Sequence, residues 1–518
     1  MHGILWCRTS SHDVIYFGGV GGNMSEKSYV EEAKELSLGY FVTGGLVLAI
    51  AVLLGLMTRI SQTGWFGEVP RVYYSLMTLH GMAAFVGWGC FTSMGLTWYV
   101  LVKTLDSPLH SPKLVKAIYW LFAVAFVLLA VSVLYGRFGG SWVFLYPIAF
   151  YGYWDSTAAG IWTFGVILAG VGIILYGLEI LLTIRKAGYS LLAALGFESF
   201  RKDFEDIKDR IPLAAVPFAV IGLGMIVATI PFAYLLIYQL LELMGIINTR
   251  MDPLLAKNFL WWFGHPVVYL ILFPVVGFFY YVTEIYAGQK LVGERYAKLA
   301  WALATIIQNF IGAHHLYADI AQQPWIHVWS QMGTYVIIIP SLISIFSITA
   351  TIYISEFKWG IASQYMFVSL TFWLLAGLSG WVNATISLNI NIHNTLWVVA
   401  HFHVMALMAL TTMIFGMGYH LIGDYTEGNF NEKLGVRALW TYVIGALGFT
   451  HFWFIQGLWG GIRRSFYSTP ESLTALTYFS IPFMILAVIG VWLNIYVAMK
   501  AVFGSSTKEP NASAVAGQ

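Results

Sequence analysis

Residues 395–410, TLWVVAHFHVMALMAL, decide how this chain is read. The stretch is apolar on both sides, yet it carries two histidines, His401 and His403, two positions apart. In a helix that spacing is a rotation of about 200°, so the two imidazoles leave on nearly opposite sides. One metal cannot be held by both rings from a regular helix, whereas two centres, one on each side, can. In a water-soluble protein a pair of hydrogen-bonded core histidines would be the plainer explanation. Within hydrocarbon, ionisable residues are rare and usually functional, which reverses the odds.

The composition places this stretch in a membrane. Hydrophobic residues make up 59% of the 518, aromatics 17% and charged residues only 10%, with a mean hydropathy of +0.74. A soluble domain carries about 25% charged residues. The fold class is therefore an all-α polytopic membrane protein. Twelve apolar spans follow one another, near 38–58, 72–102, 115–136, 157–184, 212–243, 257–283, 297–315, 327–354, 362–388, 394–421, 437–461 and 473–502, with room for a thirteenth. Each reaches the roughly 20 residues a bilayer core requires. The one hydrophilic connection of any size is 185–210. Residues 1–23 contain no long apolar run and read as a disordered tail or an upstream start, leaving 24–518 as a single transmembrane domain. Cys7 and Cys90 stand far apart and offer neither a disulfide framework nor a thiolate metal site. A net charge of +2 without a basic cluster gives no reason to expect nucleic acid.

Orientation follows from the basic residues. Of 27 lysines and arginines, seven (Arg59, Arg71, Arg137, Arg250, Lys257, Arg463 and Arg464) fall on the side away from the termini, and the remaining twenty on the termini's side. Positive residues favour the cytoplasm, so both termini are expected there. In that topology His80, His265, His314, His315, His401 and His403, from four spans, all lie in the outer part of the membrane. His314 and His315 close one span, where a helix end can bend both rings toward one ion. With His265 they form an imidazole set suited to copper or zinc. Haem iron takes one axial histidine at a reactive site and two at an electron-transfer site. His80 with His403 then suits a six-coordinate haem, and His401 a five-coordinate haem facing the copper.

TLHG at 78–81, GHPVVY at 264–269, HH at 314–315 and HNTLWVVAHFH at 393–403 resemble subunit I of the haem–copper oxygen reductases, along the whole chain. The resemblance implies a low-spin haem of a or b type on His80 and His403, a high-spin haem of a type on His401, and copper on His265, His314 and His315. It implies that Tyr269 is joined covalently to the copper histidine and supplies an electron and a proton when O–O is split. Val267 stands where A-type relatives have glutamate, so the resemblance is nearest the B-type cytochrome c oxidases. Their single proton path maps to Tyr280, Ser341 and Ser344, leading to Tyr269. Val276 interrupts it where a tyrosine is expected, and Asn389 replaces an expected aspartate near the haem propionates. Arg463, Arg464 and His393 are expected beside those propionates.

The implied function is that of a terminal respiratory oxidase, reducing O2 to water with electrons from cytochrome c, electrogenic and proton-pumping. Its implied partners are a subunit II bearing a dinuclear copper site and a small accessory transmembrane subunit, in a prokaryotic inner membrane. A quinol oxidase or nitric-oxide reductase shares the fold, though no intramembrane glutamate stands beside the copper histidines to support the latter. A metal or proton transporter could also use buried histidines. His451, in the middle of a span, is expected to be buried and hydrogen-bonded.

Overall fold

The computed structural model describes residues 24–67, 69–467 and 471–505, so the expectation for residues 1–23 lies outside the described residues. Among the described residues eleven helices are long and apolar enough to cross a bilayer. In chain order they are α1 (Ser28–Ser61), α2 (Pro70–Leu105), α3 (Pro112–Leu134), α4 (Ser156–Lys186), α5 (Leu213–Leu243), α6 (Pro253–Ala287), α8 (Pro324–Ile354), α9 (Ile361–Ala384), α10 (Leu396–Tyr425), α11 (Glu432–Leu458) and α12 (Thr474–Gly504). The twelfth crossing, expected as a single span at 297–315, is built from pieces. Its helix α7 (Glu294–Ile307) has 14 residues and gives way to a 3-10 helix at Gly312–Leu316. Adjacent histidines can converge only where the regular helix has ended, and His314 and His315 sit on that 3-10 turn.

Local chemistry sets the helix starts. Pro70, Pro112, Pro253 and Pro324 each open a helix, where a missing N–H costs nothing. Ser111, Asp155, Asp252 and Asn431 accept hydrogen bonds from the backbone N–H groups of Leu114, Ala158, Leu255 and Leu434. Helices α2, α5 and α6 are enclosed by the others. The outward faces expose Ile50, Val127, Ile230 and Leu342, as a lipid-facing surface does.

Two eight-residue stretches are π-helical: Ala83–Cys90 in α2 and Val404–Thr411 in α10. They begin directly after the turns that carry His80 and His403, and Trp88 Nε1 joins them by donating to Thr411 Oγ1 at 3.0 Å. Such departures from α geometry concentrate at functional sites. The α-helical part of α10 runs through His403, so the opposite directions of His401 and His403 hold.

Two expectations are corrected. His451 is exposed on the outward face of α11. Arg59 belongs to the last turn of α1 rather than to a loop, and it is buried.

Candidate metal centres

A single cavity of about 920 Å3 runs through the bundle. All six candidate ligand histidines line it. His80 and His403 face each other across it, with ring centroids 6.2 Å apart and planes 11° from parallel. Their Nδ1 atoms lie 2.8 Å from the backbone carbonyls of Ala51 and Val399. A carbonyl can only accept, so both Nδ1 atoms carry hydrogen and both Nε2 atoms are left with a lone pair for a metal. With metal–nitrogen bonds of about 2.0–2.1 Å and each nitrogen about 1 Å beyond its ring centre, the separation fits one ion between the rings. Gly55 on α1 makes the room: a Cβ there would stand 2.7 Å from His80 Cε1.

His401 points the other way. Its Nδ1 is 2.9 Å from Ser379 Oγ on α9, and Ser379 donates to the Ala376 carbonyl at 2.9 Å. Gly380 gives it space, since a Cβ there would come within 2.9 Å of His401 Cε1. Thus one helix presents imidazoles to two sides of the cavity.

The third group lies beyond His401. One ring nitrogen each from His265, His314 and His315 falls within 4.8 Å of the other two. His265 Nδ1 and His315 Nε2 are 3.4 Å apart, and the His315 ring stacks on Trp261 at 3.9 Å. Tyr269, one turn along α6, places its hydroxyl 2.6 Å from His265 Nε2. Three imidazoles without a thiolate or carboxylate suit copper or zinc with an open position.

The far end of the cavity explains what else it must hold. Arg59, Arg463 and Arg464 line it, and no aspartate or glutamate does among the described residues. Arg463 donates from Nη2 and Nε to Asn394 Oδ1, at 2.7 and 3.1 Å. A short antiparallel bridge between Thr395 and Ile462 holds Arg463 against the start of α10. Arg464 has φ +60°, unusual for a residue with a side chain and a strain found mostly at functional sites. Burial and the adjacent Arg464 push the Arg463 guanidinium down to about 9, and burial lowers Arg464 as well. Trp261 Nε1, Asn383 Oδ1 and Trp453 Nε1, all on lining residues, are buried without a hydrogen-bond partner. A largely apolar space lined also by guanidiniums without a carboxylate beside them fits groups with a large hydrophobic body and carboxylate tails, as haem has.

His393 sits at that end, its Nδ1 2.8 Å from Asn389 Oδ1, with its pKa lowered by burial and then by Arg463. Asn389 in turn donates to the Asn383 carbonyl at 2.7 Å. On the opposite side of the metal region, Tyr280 and Ser344 share a hydrogen bond of 2.6 Å, and Trp301 Nε1 donates to Tyr280 Oη at 3.1 Å. Ser341 and Val276 line the cavity between Ser344 and Tyr269. Sequence reasoning missed Arg59, Trp301 and Thr334; Thr334 contacts His314 Nδ1 at 2.7 Å.

Fold and site together define a membrane-embedded redox protein with places for two haems and a copper. Residues 35–493 match the family model described as Cytochrome C and Quinol oxidase polypeptide I, and the chain belongs to that family. It is 25% identical over 415 residues to cytochrome c oxidase subunit 1 of Thermostichus vulcanus, covering 78% of this chain and 71% of that one. It is likewise 25% identical over 448 residues to cytochrome bo(3) ubiquinol oxidase subunit 1 of Buchnera aphidicola subsp. Acyrthosiphon pisum, covering 83% and 65%. A cryo-EM structure of a heme-copper terminal oxidase dimer superposes with a TM-score of 0.76 at 20% identity, over 92% of this chain and 84% of that one. The chain is thus the subunit I of an oxidase, whose cofactors are a low-spin haem, a high-spin haem and copper.

Proposed function

We propose that this subunit reduces O2 to water in a respiratory chain, using electrons from cytochrome c, and moves protons across the membrane as it does so. The observation that carries the reading is the cluster of His265, His314 and His315, with the Tyr269 hydroxyl 2.6 Å from one of its rings and His401 on the adjoining helix. When bound, the low-spin haem supplies electrons, and the high-spin haem with copper supplies the site at which oxygen is reduced.

The chain's own residues have definite tasks. His80 and His403 hold the low-spin haem, and His401 holds the high-spin one. His265, His314 and His315 hold copper. Arg463 and Arg464 bind haem carboxylates as paired forks, with His393 beside them. Tyr269 holds a proton on Oη next to the reacting oxygen and gives it up there. Its expected cross-link to His265 belongs with this reading, because the two rings are already in contact. Protons arrive by way of Tyr280, Ser344 and Ser341; water has to bridge the stretch beside Val276, which offers no hydroxyl. The terminal side then faces the cytoplasm of a prokaryotic cell, and Val267, in place of a carboxylate, leaves this B-type path as the only inlet.

This chain has no dinuclear copper motif, so a cytochrome c oxidase needs a second subunit to carry one, alongside a small accessory transmembrane subunit. The similarity to a ubiquinol oxidase keeps quinol as the second reading of the donor. Oxygen consumption by the isolated complex with reduced cytochrome c, compared with a quinol, separates them. Turnover with cytochrome c is expected, and turnover with quinol alone would replace the donor while leaving the oxygen chemistry in place.

A further inference from the structure

The half of α8 nearest its N-terminus carries a polar line that the reading above does not use. His327, Ser330 and Thr334 stand three and four residues apart, on one helix face. Thr334 Oγ1 lies 2.6 Å from the Ser330 carbonyl and 2.7 Å from His314 Nδ1. A hydroxyl has one hydrogen; given to the carbonyl, it leaves the oxygen to accept from His314 N–H. His314 is thereby fixed with its own proton on Nδ1.

Beyond Thr334 the partners run out. Ser330 is fully buried and its Oγ has no hydrogen-bond partner among the described residues, and neither has the buried Nε2 of His327. Leaving such a group unsatisfied costs about 1–3 kcal/mol. Two on one face within a single turn are what bridging waters satisfy. Further out, the His327 ring meets Tyr317 edge-on at 5.7 Å and lies near enough to Asp319 for the two to interact electrostatically. Asp319 is hydrogen-bonded to Lys257, which holds its carboxyl below the usual range, so a negative charge faces His327 at neutral pH. The side chains of this pair are 14% and 27% exposed, and the line therefore reaches the surface. Toward the other end of α8, Ile337 and Ile338 separate it from Ser341 and Ser344.

We infer that this face of α8 is a water-bridged proton outlet, running from Thr334 beside the copper site to Asp319 at the surface, with His327 as its proton-carrying group. Bridging water at Ser330 passes a proton to His327 Nε2, making an imidazolium. The imidazolium releases its proton to solvent beside Asp319, and the water at Ser330 regains one from water in the cavity that Thr334 lines, the Thr334 hydroxyl keeping its own. His314 keeps its own proton throughout. One helix then bears inlet and outlet, with Ile337 and Ile338 between them.

The inference rests on the proton-translocating reading. The test uses the complete oxidase in sealed vesicles with an impermeant pH dye outside, pulsed through a few turnovers. Wild-type complex is expected to acidify the outside. His327→Gln and Ser330→Val are expected to slow that release roughly 100-fold, with Ser330→Thr close to wild type and with iron, copper and visible spectra unchanged in all three. A wild type that releases no protons overturns the translocating reading and the outlet with it. Release at the wild-type rate in both His327→Gln and Ser330→Val overturns the outlet alone. If the substitutions lose metal, a density map of wild-type complex that resolves water decides. Ordered water within hydrogen-bond distance of Ser330 Oγ and His327 Nε2 is expected, and dry packing there would overturn the outlet.

Discussion

Lys298 and Arg463 are both cations set into apolar surroundings, and the fold treats them in opposite ways. Lys298 is fully buried and saturated: Glu198 stands at 2.5 Å, the Ile211 carbonyl at 2.6 Å and Glu294 at 2.8 Å. It ties the 185–210 connection to α7 and needs nothing more. Among the described residues the Arg463 side chain hydrogen-bonds only to the neutral Asn394, beside a second arginine held in a left-handed backbone, with Arg59 also lining the cavity. A buried charge without a counter-charge is unfavourable unless something arrives to neutralise it. A cation whose partners are all present is a tie; one that lacks a counter-charge suits an anionic group, such as the haem carboxylates proposed above.

Substitutions can break this comparison. The largest effect belongs to Tyr269→Phe, which keeps every imidazole yet removes the proton-bearing hydroxyl. Oxygen consumption should fall by about 100-fold or more, with haem spectra retained. Lys298→Met strips the largely buried Glu198 of its cation, while Glu294 keeps Arg210, and is expected to cost about 3 kcal/mol in stability, read as a lower melting temperature. Arg463→Leu should do the reverse. Melting of the haem-free chain should hardly change, while haem retention or turnover falls about tenfold. Gly55→Ala and Gly380→Ala sharpen the comparison between the two faces of α10. Each forces a ring to move at a cost of about 1–3 kcal/mol; the first should shift only the low-spin haem absorption and the second only the high-spin.

The smallest effect is electrostatic. Asp319 has a lowered pKa in the folded chain, chiefly through its hydrogen bond to Lys257. Its stabilisation is present above the ordinary aspartate value of about 3.9 and is lost as pH falls below that toward the folded value. Lys257→Met should therefore flatten the fall in melting temperature on the acid side of pH 4, with little change at neutral pH.

Much of this was legible from residues alone. The apolar spans follow from length and hydropathy, and the two-residue spacing of His401 and His403 gave the opposite directions of the two rings, because rise and rotation per residue fix both. The π-helical turns after His80 and His403 were not, since nothing in GWG or LMAL announces a shifted hydrogen-bond register; packing between α2 and α10 selects it. Arg59 reads as lying outside the spans because its burial depends on Gln456 and Ser480, some 400 positions away. His451 read as buried because mid-span histidines usually are, but the direction it faces is fixed by how α11 packs on α12. Thr334 and Trp301 are invisible for a similar reason: each acts through a side chain brought to it by another helix.

The central claim is that six imidazoles gather here to hold two haem irons and one copper. Metal analysis of the purified, active complex, with the copper of any second subunit counted separately, tests it most directly. The expected result is two irons and one copper per copy of this chain, with the magnetic signature of bis-histidine low-spin haem lost in His403→Ala. Fewer than two irons for that one copper, or a low-spin signal that survives the loss of His403, would contradict it.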